Sequence, residues 1–215
     1  MSLADRISAE SRRKKFDQFL SMTSPRPGET IVDVGVNVQE YSEADNYLER
    51  HYPHPENITA IGLQDMEPFQ ARYPKVRAIK GDGRGLPFSD DEFDIAYSNA
   101  VIEHVGGRDD QRHFLRELLR VGKRGYLTTP NRLFPVEVHT RLPLLHILLP
   151  KAGFDAVLRA LGKGWAAGNY MHLLSKKELR TLLEESGYSD FSIRDNRFFG
   201  LAMTFTVVWS KSSRH

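Results

Sequence analysis

Two short polar clusters in this chain of 215 residues have the residue types needed to hold a nucleoside and to move a proton. Asp82 lies between two glycines, and its carboxylate can accept a hydrogen bond from an exocyclic amine, while Gly83 leaves its amide open to a ring nitrogen. The second cluster, residues 98–104, ends in His104, which titrates near neutrality and can act as a general base. The alternatives are a plain Asp-Gly turn and a histidine that only caps or packs.

Both clusters directly follow predicted strands, so the sheet decides where they lie. Five short apolar runs are separated by enough chain for crossovers: 30–34, 58–63, 76–79, 93–97 and 125–128. Near-continuous apolar strands that alternate with helices predict a parallel sheet covered on both faces. Two final strands, 191–194 and 203–209, are joined by a tight link that makes this pair antiparallel. Ligands of such sheets bind at the carboxyl ends of the strands, where both clusters fall.

Helices are predicted on both sides of this series of strands. Residues 3–22 have the pattern of an amphipathic helix, and a second clear helix follows the fourth strand. Ser175 and Glu178 form a capping box that opens a third helix, which Gly187 ends. We expect one domain over 1–215, with an N-terminal helix in 1–24. Residues 131–172 are unusually apolar for a connection and predict either a lid over the site or a helix pair packed on the domain.

The turn after the first strand has lost most of the glycines that a nucleotide-binding turn uses. Gly35 remains, while Asn37 and Gln39 occupy the places of further glycines. Asn tolerates left-handed backbone, so the turn can survive at Asn37. Gln39 adds bulk that disfavours a pyrophosphate and affects a cofactor without phosphates less. An ordinary strand-to-helix turn explains the same residues.

The second strand lacks the terminal acid that would hold ribose hydroxyls. Gly62 stands at that position, and Asp65 follows three residues later. Asp65 could replace the missing acid or could cap the following helix.

Composition excludes several classes of function. Lysine and arginine number 30 against 28 acids, so charge gives no reason to expect a nucleic-acid partner. The chain has no cysteine, which rules out disulfides, thiolate metal sites and a cysteine nucleophile, and we predict no metal site. No run is long and apolar enough to span a bilayer, and we expect a cytoplasmic protein. The apolar run LPLLHILLP would support peripheral membrane contact at most.

These motifs together resemble the class I S-adenosylmethionine-dependent methyltransferases of the methyltransferase-domain-11 type. The resemblance rests on VDVG, on GDGRGLPFSDDEFDIAYSNAVIEHV and on LRELLRVGKRGYLTTPNR, and it covers most of the chain. It is similar to a bacterial branch in which SNAVIEHVG-like and TPNRxFPxExH-like strings occur together. The resemblance implies a Rossmann-like, doubly wound fold of class α/β, with seven mainly parallel strands and an antiparallel last strand.

The resemblance also implies S-adenosylmethionine as cofactor and assigns residues to it. The assigned residues are Asp33, Gly35, Asn37, Leu63, Asp82, Gly83, Asn99 and Ala100. Leu63 would flank the ribose or adenine, and Asp82 with Gly83 would hold the adenine edge.

The remaining assignments concern the methionine end of the cofactor. Asp33 and Gly35 would lie against the methionine portion, and Asn99 and Ala100 near its amino-acid moiety. His104 would be near the transferring methyl group as the catalytic residue.

The sequence therefore predicts methyl transfer to a small or lipophilic acceptor, with the apolar insertion as the acceptor wall. The eroded turn at Asn37 and the missing acid at Gly62 keep open an alternative from another class. In that alternative the chain is a non-catalytic, methyltransferase-like scaffold that has lost or weakened cofactor binding and acts through partners. Neither the acceptor nor the oligomeric state can be read from the sequence.

Overall fold

The computed structural model describes residues 3–137, 140, 142–168 and 171–211, with only the backbone for 3–8. The strands are β1 (Ile31–Val34), β2 (Ile58–Gly62), β3 (Arg77–Lys80), β4 (Phe93–Asn99), β5 (Gly122–Pro130), β6 (Phe191–Phe198) and β7 (Leu201–Ser210). The α-helices are α1 (Leu3–Thr23), α2 (Tyr47–His51), α3 (Glu67–Arg72), α4 (Arg108–Val121), α5 (Leu145–Leu148), α6 (Lys151–Ala160) and α7 (Lys176–Glu185).

All seven strands form one sheet in the order β3-β2-β1-β4-β5-β7-β6. Strands β1 to β5 run parallel, and β7 runs antiparallel to both of its neighbours, β5 and β6. The predicted α/β class, the seven mainly parallel strands and the antiparallel last strand are therefore confirmed.

Helices cover both faces of the sheet because the strand residues alternate between them. Val32 and Val34 pack toward α4 and α7, whose buried leucines form the larger core. Ile31 faces the other side, where Phe19 of α1, Leu48 of α2 and Phe69 of α3 complete a second core. This burial on both faces explains the near-continuous apolar character of the strands.

The boundaries differ from the sequence expectation where a strand gains a second partner. Strand β5 extends three residues before and two residues after the predicted run, because it pairs with β4 on one side and with β7 on the other. The connection after β1 differs more: no helix begins until Tyr47, and that helix has only five residues. A long irregular loop therefore follows β1.

The described part of the insertion includes α5, α6 and the 3-10 turn Gly164–Ala166. Phe154, Leu158 and Ala166 form a small apolar cluster of their own, separate from the two cores of the sheet. Residues 138, 139, 141, 169 and 170 of the predicted lid lie outside the described residues. Among the helices that the structure describes, none has the length and apolar character needed to cross a bilayer.

Candidate cofactor site

The strand order reverses between β1 and β4, and such a reversal opens a crevice at the carboxyl edge of a parallel sheet. Gly35 ends β1 with a φ of 106°, a conformation that favours glycine. A Cβ atom on Gly35 would lie 2.4 Å from Cγ2 of Val101, which follows β4. The surviving glycine of the first turn is thus required by close packing across the crevice.

A cavity of about 140 Å³ opens at this edge. Five of the nine predicted site residues line it: Gly35, Leu63, Asp82, Gly83 and His104. Its apolar walls include Ile61, Val101 and Phe114. The fold therefore brings the two polar clusters of the sequence to one cavity, while Asp33, Asn37, Asn99 and Ala100 do not line it.

Asp82 is held by an arginine that the sequence reading did not single out. Both of its carboxylate oxygens accept hydrogen bonds from the Arg84 guanidinium, at 2.6 Å for Nη2. The other arm of Arg84 donates to Oδ1 of Asp110 at 2.9 Å and so ties the β3 turn to the start of α4. Hydrogen bonding from Arg84 holds the pKa of Asp82 below its usual range. An adenine amine would have to compete with Arg84 for this carboxylate.

At Gly62, where the ribose-binding acid is missing, the side chain of Met66 occupies the space. A Cβ atom on Gly62 would lie 2.7 Å from Sδ of Met66, so an acidic side chain does not fit there without moving that methionine. Asp65 accepts a hydrogen bond from the Glu67 amide at 3.2 Å, where it caps the first turn of α3. It lines a separate groove beside α3 together with Gln70 and Lys80.

The loop after β1 is fixed away from the cavity by side-chain hydrogen bonds. Asn37 donates its amide to Oδ1 of Asn46, and its carbonyl accepts from Nδ2 of the same residue. Glu40 joins this loop to α2 through Arg50 and, beyond α3, to the Tyr73 hydroxyl. Asn37 does not use the left-handed backbone that asparagine tolerates, whereas Asn46 in the same loop does, at φ 46°.

Strand β4 ends in a strained turn that leads into the second cluster. Asn99 Oδ1 accepts from the Thr128 hydroxyl at 2.6 Å, a bond that fixes the side chain against β5. Ala100 has a φ of 60°, which is uncommon for a residue other than glycine and is found most often at functional sites.

His104 ends a 3-10 turn, Ile102–His104, and is partly exposed to the cavity. Its neighbour Glu103 is fully buried, and Oε2 of Glu103 accepts from the Thr129 hydroxyl at 3.2 Å. The Glu103 carbonyl accepts from the amide of His172, a histidine whose pKa is lowered by burial. Across the described residues no group of three or more histidine or acidic side chains is arranged to hold a metal ion.

Asp33 lies under α1 and α2 on the far side of β1. It is 7% exposed, and the partner carboxyl of Glu49 in α2 is 4% exposed. Burial first, and then the charge of Glu49, raise the pKa of Asp33 well above its usual range. Burial also raises the pKa of Glu49 to about 7 and lowers the pKa of Lys15 in α1 to about 7. These three shifts have one cause, because low-dielectric surroundings disfavour the charged form of each side chain.

The residues that line the cavity are of the types that bind an adenosine. A Cβ atom on Gly83 would lie 2.6 Å from the ring of Phe114, so this turn brings bare backbone close to the cavity. Apolar walls and a single carboxylate suit a planar base with one exocyclic amine. Arg84, Met66 and Glu49 are the neighbours that sequence reasoning missed. Only Arg84 carried a signal, since an arginine two residues after Asp82 can fold back on the carboxylate.

Comparison with known proteins gives one family match and many similar folds. Residues 34–128 match the model of the methyltransferase domain family Methyltransf_11. A methyltransferase structure from Thermotoga maritima, described as a possible histamine N-methyltransferase, has a TM-score of 0.58 and 18% identity over 97% of this chain and 92% of its own. A methyltransferase from Methanosarcina mazei has a TM-score of 0.56 and 15% identity, covering 89% of this chain and 96% of its own. A methyltransferase from Mesorhizobium loti has a TM-score of 0.56 and 15% identity, covering 88% of this chain and 94% of its own. At these identities the likeness shows a common fold.

Proposed function

We propose that this protein, whose residues 34–128 form a methyltransferase domain of the Methyltransf_11 family, transfers a methyl group to a small or lipophilic acceptor. Its cofactor is S-adenosylmethionine, as the family match indicates. We infer that Asp82 and Gly83 hold the adenine edge, that Leu63 flanks the ribose or adenine, and that Gly35 lies against the methionine portion.

The single observation that carries the proposal is the common cavity of Asp82, Gly83 and His104. The Asp82-Gly83 pair follows β3 and His104 follows β4, and these two strand ends border one cavity although β2 and β1 lie between the strands in the sheet. A nucleoside contact and a titratable base thus border the same space.

In this reaction the residues of the protein would align the methyl donor with the acceptor and remove a proton from the acceptor. When bound, S-adenosylmethionine supplies a methyl group that its sulfonium already activates. The side chain of His104 would accept the proton of an acceptor hydroxyl or amine. Val101 and Phe114 form dry walls that exclude water from the reacting groups.

The other assignments of the sequence fall at the methionine end of the proposed site. Asn99 and Ala100 lie at the strained turn that leads to Val101, and we retain them as the contacts of the amino-acid moiety. Asp33 would act there through the backbone of β1, because its side chain is buried beside Glu49. Asn37 would act through its side chain, because its backbone amide and carbonyl are bonded to the side chain of Asn46.

A lipophilic acceptor is favoured by the insertion. Leu144, Leu148 and Trp165 are 47%, 70% and 56% exposed, so the segment offers apolar surface on the side where the strands end. Assay with methyl-labelled S-adenosylmethionine against a lipid extract and an aqueous extract of the host cells tests this class. Label that enters only the aqueous extract would contradict a lipophilic acceptor.

Cofactor binding is tested by isothermal titration with S-adenosylhomocysteine. We expect saturable binding, and we expect Asp82→Asn to weaken it about tenfold, because an amide cannot replace a charge-assisted acceptor worth about 1.5–3 kcal/mol. Asp65→Asn is the matched control, since Asp65 lines a different groove, and it should leave the affinity unchanged. Absence of heat at millimolar ligand would overturn the proposal.

The size of the cavity favours a second candidate function. Ligand pockets usually enclose roughly 300–1,000 Å³, whereas this one has about 140 Å³ and Arg84 lies along it. A methyltransferase-like scaffold that does not turn over would show this geometry. If the chain is such a scaffold, its melting temperature should not rise with S-adenosylhomocysteine. If it is an enzyme, the melting temperature should rise with increasing ligand concentration. Cytoplasmic location remains a prediction, which fractionation of the host cells would test.

A further inference from the structure

We propose that the insertion docks on an anionic lipid bilayer through an apolar and basic surface. We call this surface the insertion face and define it by the residues Leu144, Ile147, Leu148, Lys151, Arg159, Leu161, Lys163 and Trp165. The inference goes beyond methyl transfer, because binding to a bilayer needs neither cofactor nor acceptor.

The first observation is the concentration of exposed apolar side chains. Large hydrophobic residues that are more than a third exposed number eleven among the described residues, and seven of them belong to 131–172. Five of these seven fall within the 22 positions from Leu144 to Trp165, around a small cluster of three buried residues. Exposed apolar groups at this density mark a docking surface for a protein or a membrane.

The second observation is the charge on the same segment, which identifies the occupant. Residues 131–172 contain five arginines and lysines and only two acids, Glu137 and Asp155. Both acids are buried, at 2% and 8% exposure, so the segment presents no exposed carboxylate. Lys151 pairs with Asp155 at 3.3 Å and remains half exposed, and Arg159 is exposed. Apolar side chains beside cations with no acids among them match an anionic headgroup layer.

The same charges argue against a second copy as the occupant. A two-fold contact places the same patch on both subunits, so Arg159 of one copy would approach the cations of the other with no exposed carboxylate of the insertion to pair with it. Like charges brought together at an interface are strongly unfavourable. An exposed tryptophan also suits the bilayer interface, where an amphipathic ring finds both an apolar and a polar layer.

The two tryptophans make the test direct, because Trp165 is 56% exposed and Trp209 is buried in the core at 5%. The full chain is mixed with phosphatidylcholine vesicles, with or without about a third of phosphatidylglycerol, and followed by tryptophan emission and flotation. We expect a blue shift and flotation with the anionic vesicles, and both should be lost in high salt, since surface charges are screened there. In Trp165→Phe the flotation should persist and the blue shift should disappear.

A matched pair of variants separates the insertion face from exposed apolar residues elsewhere. Leu148→Glu should weaken binding to anionic vesicles at least about tenfold, because it removes an inserting side chain and adds a repelled charge. Tyr41→Glu adds the same charge at a site that is 81% exposed in the loop after β1, and it should bind as the unmodified chain does.

Three results would overturn the inference. One is a chain that stays out of the floating fraction at every vesicle composition. Another is an equal loss of binding in Tyr41→Glu. The third is a concentration-dependent dimer in sedimentation that Leu148→Glu dissociates, since the insertion face would then bind a second copy of the chain.

Discussion

Two aspartates at the carboxyl edge of this sheet have the same side chain and opposite environments. Asp82, after β3, is partly exposed and bound on both oxygens by Arg84, and this bonding lowers its pKa. Asp33, at the end of β1, is buried beside another carboxyl, and burial raises its pKa. The environment of Asp82 favours the charged form of its carboxyl, and burial favours the neutral form of the Asp33 carboxyl.

The difference shows which of the two carboxylates a ligand can reach. An exposed ion pair contributes only about 0.2–1 kcal/mol, so a ligand can displace Arg84 from Asp82 at little cost. Reaching Asp33 requires moving α1 and α2, which are anchored by Phe19 and Leu48 in the core. We call the β3 side of the edge the exchangeable half, because its carboxylate can change partner, and the β1 side the structural half, because its carboxylate is fixed in the core even though Gly35 lines the cavity.

The largest expected effect concerns the structural half. Gly35→Ala should lower the free energy of unfolding by about 2–4 kcal/mol, because the new Cβ atom overpacks against Val101 and the backbone is left-handed. Denaturant titration measures it. Gly85→Ala is the control on the exchangeable half, where a Cβ atom meets nothing within 4 Å, and its stability should be almost unchanged. Equal losses in the two variants would remove the distinction between the halves.

The buried pair should make stability depend on pH. Glu49 has a folded pKa raised from 4.5 to about 7, so the folded state binds more protons than the unfolded state between these values and loses stability as pH rises through them. Glu49→Gln should therefore raise the free energy of unfolding by up to about 3 kcal/mol at pH 8 and have little effect at pH 4.5.

Melting temperatures at the two pH values check this, with Glu43→Gln as the control in the exposed loop before α2. A gain that is the same at both pH values would show that Glu49 does not titrate as the burial requires. Asp33 faces Glu49 from β1 and belongs to the same transition. Glu40 acts on Glu49 from the loop only through its charge, since its own pKa is lowered.

The smallest effect concerns the exchangeable half. Arg84→Ala should strengthen S-adenosylhomocysteine binding about two- to fivefold, because breaking an exposed ion pair recovers under about 1 kcal/mol. Stability should change little. Arg108→Ala is the control, since Arg108 of α4 makes a similar exposed pair with Glu185 of α7. Weaker binding in Arg84→Ala would mean that the arginine contacts the ligand rather than competing with it.

Much of the fold could be predicted because the strands have a local signature. Every strand was placed from its apolar run, and the capping box at Ser175 was confirmed by its hydrogen bond from the Glu178 amide. The loop after β1 could not be placed, because its path depends on Asn46, Glu40 and Tyr73, which meet only in the folded chain.

The site was predictable where its residues lie directly at strand ends. Asp82, Gly83 and His104 meet because β3 and β4 end at the same edge. The pairing of Asp33 with Glu49 has no sequence signal, since α2 approaches β1 through packing of Leu48 rather than through a motif. No sequence pattern predicts that Met66, just before α3, packs against Gly62 in the place of the ribose acid.

A single glutamine joins the insertion to the turn that carries His104. Gln111 of α4 donates to the carbonyl of His172 at 2.8 Å and to that of Ile102 at 3.2 Å, and so fastens the last residue of the insertion to the turn that carries His104. Gln111 is 2% exposed, so water does not replace these bonds easily. A force that shifts the insertion must break these hydrogen bonds or carry the turn of His104 with it. The chain thus contains a mechanical linkage through which contact at its surface can be transmitted to the site.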